Sequence, residues 1–216
     1  MRISEIFESF QGEGNSVGRL ALFIRVQGCP LNCTWCDTKY SITFNGGEER
    51  SVEELSKVID NFLKIKKGIV VFTGGEPLYY QDEIIQIIAN FPNEEIEFET
   101  SGIYLPKKEL SKFKFNVSPK LRGARLAEGV YKKIYSNLSE FKKLNSIFKF
   151  VISIQQDLGE VKELIDKYRL PKKRIYLMPE GTSTEELLEK STFIIPFCLE
   201  NGINYSPRLQ VFLKIK

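Results

Sequence analysis

Six short apolar or β-branched runs constrain what this 216-residue chain can fold into more than any other feature. They are Leu20–Val26, Ile69–Phe72, Ile96–Phe98, Phe113–Val117, Phe148–Ile152 and Ile175–Met178, and helical patterns lie between most of them. Ser51-Val52-Glu53-Glu54 reads as a capping box, serine at the cap and glutamate three residues on, opening a helix to about Lys64. Apolar spacing continues at Ile84, Ile85, Ile87 and Ile88, and again at Val161, Leu164 and Ile165. A further helix starts near Thr184, and Pro196 limits how far it runs cleanly. Strand–helix alternation of this kind predicts an α/β architecture with a mainly parallel sheet. No low-complexity linker interrupts it, so residues 1–216 read as one domain. Functional residues should then gather in the loops after the strands' C-terminal ends.

Those loops are where the chemistry-bearing residues fall. After the first run comes Cys29-Pro-Leu-Asn-Cys33-Thr-Trp-Cys36, spaced C-x3-C-x2-C, with Asp37-Thr38 directly behind it. Three closely spaced thiolates can hold three irons of a four-iron, four-sulfur cluster and leave the fourth iron open to a small molecule. A structural zinc site, which wants four ligands, and thiol redox chemistry are the competing readings. A disulfide framework needs a secretory context, and Met1-Arg2-Ile3-Ser4-Glu5 has no apolar signal region. The remaining cysteine, Cys198, ends the apolar run Phe193-Ile194-Ile195-Pro196-Phe197 and reads as a core residue.

Composition excludes several function classes. The chain has no histidine, which removes Ser-His-Asp hydrolysis, Cys-His proteolysis and every imidazole metal site. Its net charge of +3 is too small to argue for nucleic-acid binding. No apolar stretch approaches the roughly 20 residues that span a bilayer. A reducing, cytoplasmic setting fits these features.

Other loops carry weaker signals. Thr73-Gly74-Gly75-Glu76-Pro77 follows the second run, and its glycines let backbone pass close to a ligand, with Glu76 able to accept from an ammonium group. Alone it would be a strand-to-helix turn; beside the cysteine triplet it favours a ligand loop. Glu99-Thr100-Ser101-Gly102 follows the third run, and Glu99 is either a buried acceptor or an exposed carboxylate. Ser118-Pro119-Lys120 offers a hydroxyl and a cation, in a tripeptide that by itself is usually a solvated turn. Near the N-terminus, Phe10-Gln11-Gly12-Glu13-Gly14 and Arg25 suit a polar heterocycle bearing a carboxylate, because guanidinium pairs with carboxylate in a fork; without the cysteines they would read as a hairpin turn with Arg25 on a solvated face. The basic run Lys120–Lys133 reads as a solvated face.

At Cys29, Cys33, Trp35 and Cys36, with Gly74-Gly75-Glu76-Pro77 downstream, the chain resembles radical S-adenosylmethionine (SAM) enzymes. More narrowly, Phe10 to Gly14, Arg25, Cys36-Asp37-Thr38, Thr73 to Pro77, Glu99 to Gly102 and Ser118 to Lys120 together are similar to the 7-carboxy-7-deazaguanine synthases. The resemblance covers nearly the whole chain and fades after Gly181. It implies an abbreviated, partial (β/α)6-type barrel with segment 1–28 contributing a substrate loop. It implies a [4Fe-4S] cluster on Cys29, Cys33 and Cys36 whose open iron is chelated by SAM. Trp35, Cys36, Asp37, Gly75, Ser118, Pro119 and Lys120, with Ser153, Ile154, Gln155 and Gln156 after the fifth run, would line SAM. Phe10, Gln11, Gly12, Glu13, Arg25 and Thr73 would hold 6-carboxy-5,6,7,8-tetrahydropterin, and Thr38 a magnesium ion. The implied reaction starts from a 5′-deoxyadenosyl radical and contracts the pterin ring with loss of ammonia, toward queuosine-type tRNA modification. A flavodoxin- or ferredoxin-type electron donor and a homodimer are further implied partners.

One departure stands out. Many members carry a histidine near the C-terminal strand, where this chain has Ser206-Pro207-Arg208-Leu209-Gln210, so no site residue is carried over there. A glycyl-radical activase of the same superfamily and a zinc-stabilised binding module are the alternatives.

Overall fold

The computed structural model describes residues 1–216. Nine strands form one sheet: β1 (Arg2–Phe10), β2 (Leu20–Val26), β3 (Glu48–Glu49), β4 (Ile69–Gly74), β5 (Ile96–Thr100), β6 (Lys114–Val117), β7 (Ser146–Ile152), β8 (Ile175–Pro179) and β9 (Asn204–Tyr205). Their order in the sheet is β3-β1-β2-β4-β5-β6-β7-β8-β9. From β2 to β9 every pairing is parallel, while β1 is antiparallel to both β2 and β3. The sheet is open, an incomplete barrel. All six expected runs are strands, and six long parallel strands make the expected (β/α)6-type count.

The helices are α1 (Val52–Lys66), α2 (Gln81–Ile88), α3 (Glu128–Phe141), α4 (Asp157–Tyr168), α5 (Thr184–Asn201) and the short α6 (Leu209–Leu213). The expected capping box opens α1: Ser51 Oγ accepts from the Glu54 amide and Glu54 accepts from the Ser51 amide. Only a short 3-10 turn at Lys108–Leu110 fills the connection after β5.

The basic run Lys120–Lys133 is a solvated face at Arg122, Arg125, Lys132 and Lys133, as expected, while Lys120 turns to the cavity described below. One expectation needed correction: α5 does not stop at Pro196. Proline frees the carbonyl four residues earlier, that of Thr192, and both residues are exposed, so water can satisfy it.

The sheet has two unlike faces. Its outer face packs on the helices, with Phe72, Phe98 and Phe115 stacked across β4, β5 and β6 at ring separations of 5.5 and 5.2 Å. The inner face begins with a small apolar floor of Ala21, Phe23, Ile69 and Val71, against which Phe7 packs. Above that floor it turns polar, because alternate residues of a strand point to opposite faces: Arg25, Thr73, Glu99 and Lys149 share it. Parallel sheets are normally apolar on both sides. A polar inner face therefore marks where a ligand belongs.

Candidate active site

The strands' C-terminal ends open into a cavity of about 230 Å³. Its wall carries Cys29, Cys33, Trp35, Cys36, Asp37, Thr38, Gly75, Ser118 and Lys120 from the loops, with Phe10, Gln11, Gly12, Glu13, Arg25 and Thr73 from the other side. The cavity thus brings together residues that the sequence scatters over more than 100 positions. Pro119 is buried behind it, and Ser153 to Gln156 lie off its wall. There the Ser153 and Ile154 amides donate to the Asp157 carboxylate at 2.7 and 3.0 Å, starting α4, while Ile154, Gln155 and Gln156 face solvent.

The cysteine loop is held by backbone. The Gly28 and Cys29 amides donate to the Ser41 and Ile42 carbonyls, and the Glu76 amide donates to the Gly28 carbonyl at 2.9 Å. A Cβ at Gly75 would sit 2.0 Å from that carbonyl oxygen, so only glycine lets the two loops meet. Gly74 carries a φ of +102°, a second demand for glycine at the same junction. Glu76 is completely buried and accepts from the Thr100 hydroxyl (2.7 Å), the Ser101 amide (2.9 Å) and the Leu78 amide (3.2 Å). Its expected part in gripping an ammonium group gives way to a structural one, since these bonds weld the end of β4 to the end of β5.

The donor set suits a thiolate-bound cluster. Cys29, Cys33 and Cys36 are free thiols on the cavity wall. Burial pushes the Cys29 thiol up to about 12 and the Cys33 thiol above its ordinary value. Such thiols ionise when metal ions replace the lost solvation, so burial here favours iron ligation over free thiolate chemistry. No three Cys, Asp or Glu side chains form a group that could hold a single metal ion. Thr38 lies behind the last cysteine, its hydroxyl 3.7 Å from Cys36 Sγ. Lys120 spans this wall, its Nζ donating to Ser118 Oγ at 3.1 Å and lying 5.1 Å from the Trp35 ring centre.

The opposite wall is densely paired. Glu99 is a partly buried acceptor: Gln11 Nε2 donates to one oxygen at 3.1 Å and Thr73 Oγ1 to the other at 2.6 Å. Arg25 gives its Nε to Glu5 at 2.7 Å, leaving both terminal nitrogens of its guanidinium without a protein partner on the cavity wall. Glu13 is paired with Lys149 on one oxygen and accepts from Gln210 Nε2 at 2.7 Å and Arg208 Nε at 3.3 Å on the other. Burial alone would raise its pKa, but the Lys149 and Arg208 cations outweigh burial and hold it at about 2.

Arg208, Gln210, Lys149 and Glu99 were not assigned from sequence. A charged residue alternating with apolar ones inside a strand, as in Phe148-Lys149-Phe150 and Phe98-Glu99-Thr100, was the available signal for two of them. Arg208 and Gln210 had none, because they reach the site only through the position of β9 and the Leu209 amide's bond to the Gly12 carbonyl.

A partial barrel with three cysteines and a Gly-Gly-Glu-Pro loop at its mouth defines a radical SAM enzyme, and the radical SAM superfamily model matches residues 23–117. Its cofactors are a [4Fe-4S] cluster and SAM. A protein of Pyrobaculum aerophilum named 7-carboxy-7-deazaguanine synthase is 38% identical over 215 residues, covering 98% of this chain and 93% of that one. A second of that name from Hyperthermus butylicus is 30% identical, covering 100% and 93%. The crystal structure of QueE from Escherichia coli has the same fold at a TM-score of 0.68, with 23% identity over 96% of this chain and 93% of that one. The chain belongs to the 7-carboxy-7-deazaguanine synthase family. Membership sets aside the activase and zinc-module alternatives. No helix is long and apolar enough to cross a membrane.

Proposed function

We propose that the protein converts 6-carboxy-5,6,7,8-tetrahydropterin to 7-carboxy-7-deazaguanine with release of ammonia, in a SAM- and magnesium-dependent ring contraction. The observation that carries this reading is a single cavity with cysteines on one wall and Gln11, Glu13, Arg25, Thr73 and Glu99 on the other. The cluster and SAM, when bound, supply the one-electron chemistry.

The chain's own residues bind and orient. The two unpaired nitrogens of Arg25 form a planar fork suited to the substrate carboxylate. Glu99 and Glu13 are fixed acceptors for ring N–H groups, already held by protein donors and so needing little reorganisation. Phe7 and Phe10 add apolar surface to the cavity lining. On the other wall, Cys29, Cys33 and Cys36 would hold the cluster, and Trp35, Asp37, Gly75, Ser118 and Lys120 would line SAM. Thr38 would contribute one oxygen to magnesium, an ion that keeps several waters and shares substrate oxygens. The reductant is a flavodoxin- or ferredoxin-type carrier, the protein works in the cytoplasm on a small molecule rather than on nucleic acid, and it forms a homodimer.

The test is anaerobic incubation of reconstituted enzyme with reductant, SAM, magnesium and the pterin. Formation of 7-carboxy-7-deazaguanine and ammonia is expected. Cofactor cleavage with the pterin left intact would rule this substrate out.

A further inference from the structure

The C-terminal segment places one cation where three separate parts of the chain meet. Arg208 is 7% exposed and all three of its nitrogens are engaged. Nε donates to Glu13 Oε1 at 3.3 Å, Nη2 donates to Asp37 Oδ2, and Nη1 donates to the Gly181 carbonyl. Glu13 belongs to the β1–β2 connection and Asp37 to the cysteine loop, directly after Cys36. Between these two walls the guanidinium is the direct ionic link. A smaller cavity of about 110 Å³ shares Glu13, Trp35, Asp37 and Arg208 with the main one, so the bridge stands between the two spaces.

We propose that Arg208 is a positioning residue that couples the substrate wall at Glu13 to the cluster loop at Asp37, so that a ligand seated on one wall sets the geometry of the other. This rests on the reading of the cavity given above and extends it to a residue with no expected role. The ends of the bridge are unequal. Glu13 keeps Lys149 and Gln210 if Arg208 is lost, whereas Asp37, 46% exposed in its side chain, has no other ion-pair partner. Loss of Arg208 therefore frees the cluster loop while leaving the buried carboxylate neutralised. Lysine cannot replace it, because a single ammonium lacks the planar fork that reaches three acceptors at once.

Trp35, the only tryptophan, lies two residues before Asp37 and lines both cavities. Its fluorescence reads the cluster loop without iron or substrate. In iron-free protein, acrylamide quenching of Trp35 should rise in Arg208→Ala and Arg208→Lys, and equally in Asp37→Asn, which breaks the bridge from its exposed end. In reconstituted Arg208→Lys, KM for SAM and for the pterin should both rise about tenfold, equivalent to about 1.4 kcal/mol, with more 5′-deoxyadenosine released per product. If Arg208→Ala does not fold, Arg208→Lys and Asp37→Asn carry the test. Unchanged quenching in the folded variants, or a rise in only one of the two KM values, overturns the coupling. Since quenching needs no pterin, a wild-type enzyme that ignores the pterin refutes the substrate reading while the quenching still judges Arg208.

Discussion

The two walls of the cavity are built on opposite plans. On the substrate wall nearly every charge already has a partner: Glu13 with Lys149, Arg208 and Gln210, Glu99 with Gln11 and Thr73, Arg25 with Glu5. On the cluster wall the cysteine thiols are desolvated, and burial pushes Cys29 and Cys33 away from ionisation with only partial relief from the Lys120 cation. The first wall is preorganised by its own fold. The second is a socket that only metal can complete, since buried thiolates are stable when something positive binds them. Backbone contact at Gly28, Gly75 and Glu76 ties the cysteine loop to the end of β4, while Arg208 links the two walls through Glu13 and Asp37.

The sharpest way to break the contrast is to remove a thiol. Cys33→Ala should abolish cluster retention, read as lost iron, sulfide and visible absorbance, and with it all SAM cleavage. Cys198→Ala should leave both intact, because Cys198 is buried in the core between α5 and β9. Loss of the cluster from folded Cys198→Ala protein would overturn the three-cysteine assignment.

The substrate wall should fail differently, by losing stability. Glu13→Ala leaves Lys149 a buried cation without its ion-pair partner, while Arg208 keeps Asp37, and should cost about 3–5 kcal/mol in denaturant unfolding, whereas Cys33→Ala should cost the iron-free fold much less. Equal destabilisation would erase the distinction. The pH dependence has a fixed sign. Folding lowers the Glu13 pKa from 4.5 to about 2, so its stabilisation is complete above about pH 4.5 and is lost as pH falls toward 2. Glu13→Gln should flatten that acid limb of the stability curve.

Smaller effects sharpen the picture. Arg25→Ala should raise the pterin KM roughly ten- to a hundredfold, the value of a charge-assisted bidentate pair, with cluster content unchanged and only partial rescue by lysine. An unaltered KM would move the carboxylate site elsewhere. Smallest is Thr38→Ala, expected to weaken the dependence of turnover on magnesium while leaving SAM cleavage in place. A flat response of the wild type to chelator and added metal would remove magnesium from the account.

The strands were legible because six apolar runs are bounded by Gly, Pro and polar turns, and the helix at Ser51 because its cap is written in side chains. Helix α3 was hidden because Ala127 gives no capping oxygen and Gly129 sits in its first turn, although Tyr131, Ile134, Tyr135, Leu138 and Phe141 keep the helical period. Strand β1 was hidden behind the polar motif that follows it, since most of its residues are only partly buried and alternation is weak. The wall that carries the three cysteines was readable because they are neighbours in sequence. The substrate wall was half readable, for Gln11, Glu13 and Arg25 lie near one another, while Lys149, Arg208 and Gln210 arrive from over 130 residues away.

One anaerobic preparation assayed for metal and for turnover together decides whether the two walls serve one reaction. Expected are about four iron and four sulfide per chain, and conversion of 6-carboxy-5,6,7,8-tetrahydropterin to 7-carboxy-7-deazaguanine that requires SAM and reductant. Stoichiometric zinc without iron, or an iron-loaded enzyme that cleaves SAM and leaves the pterin untouched, would contradict it.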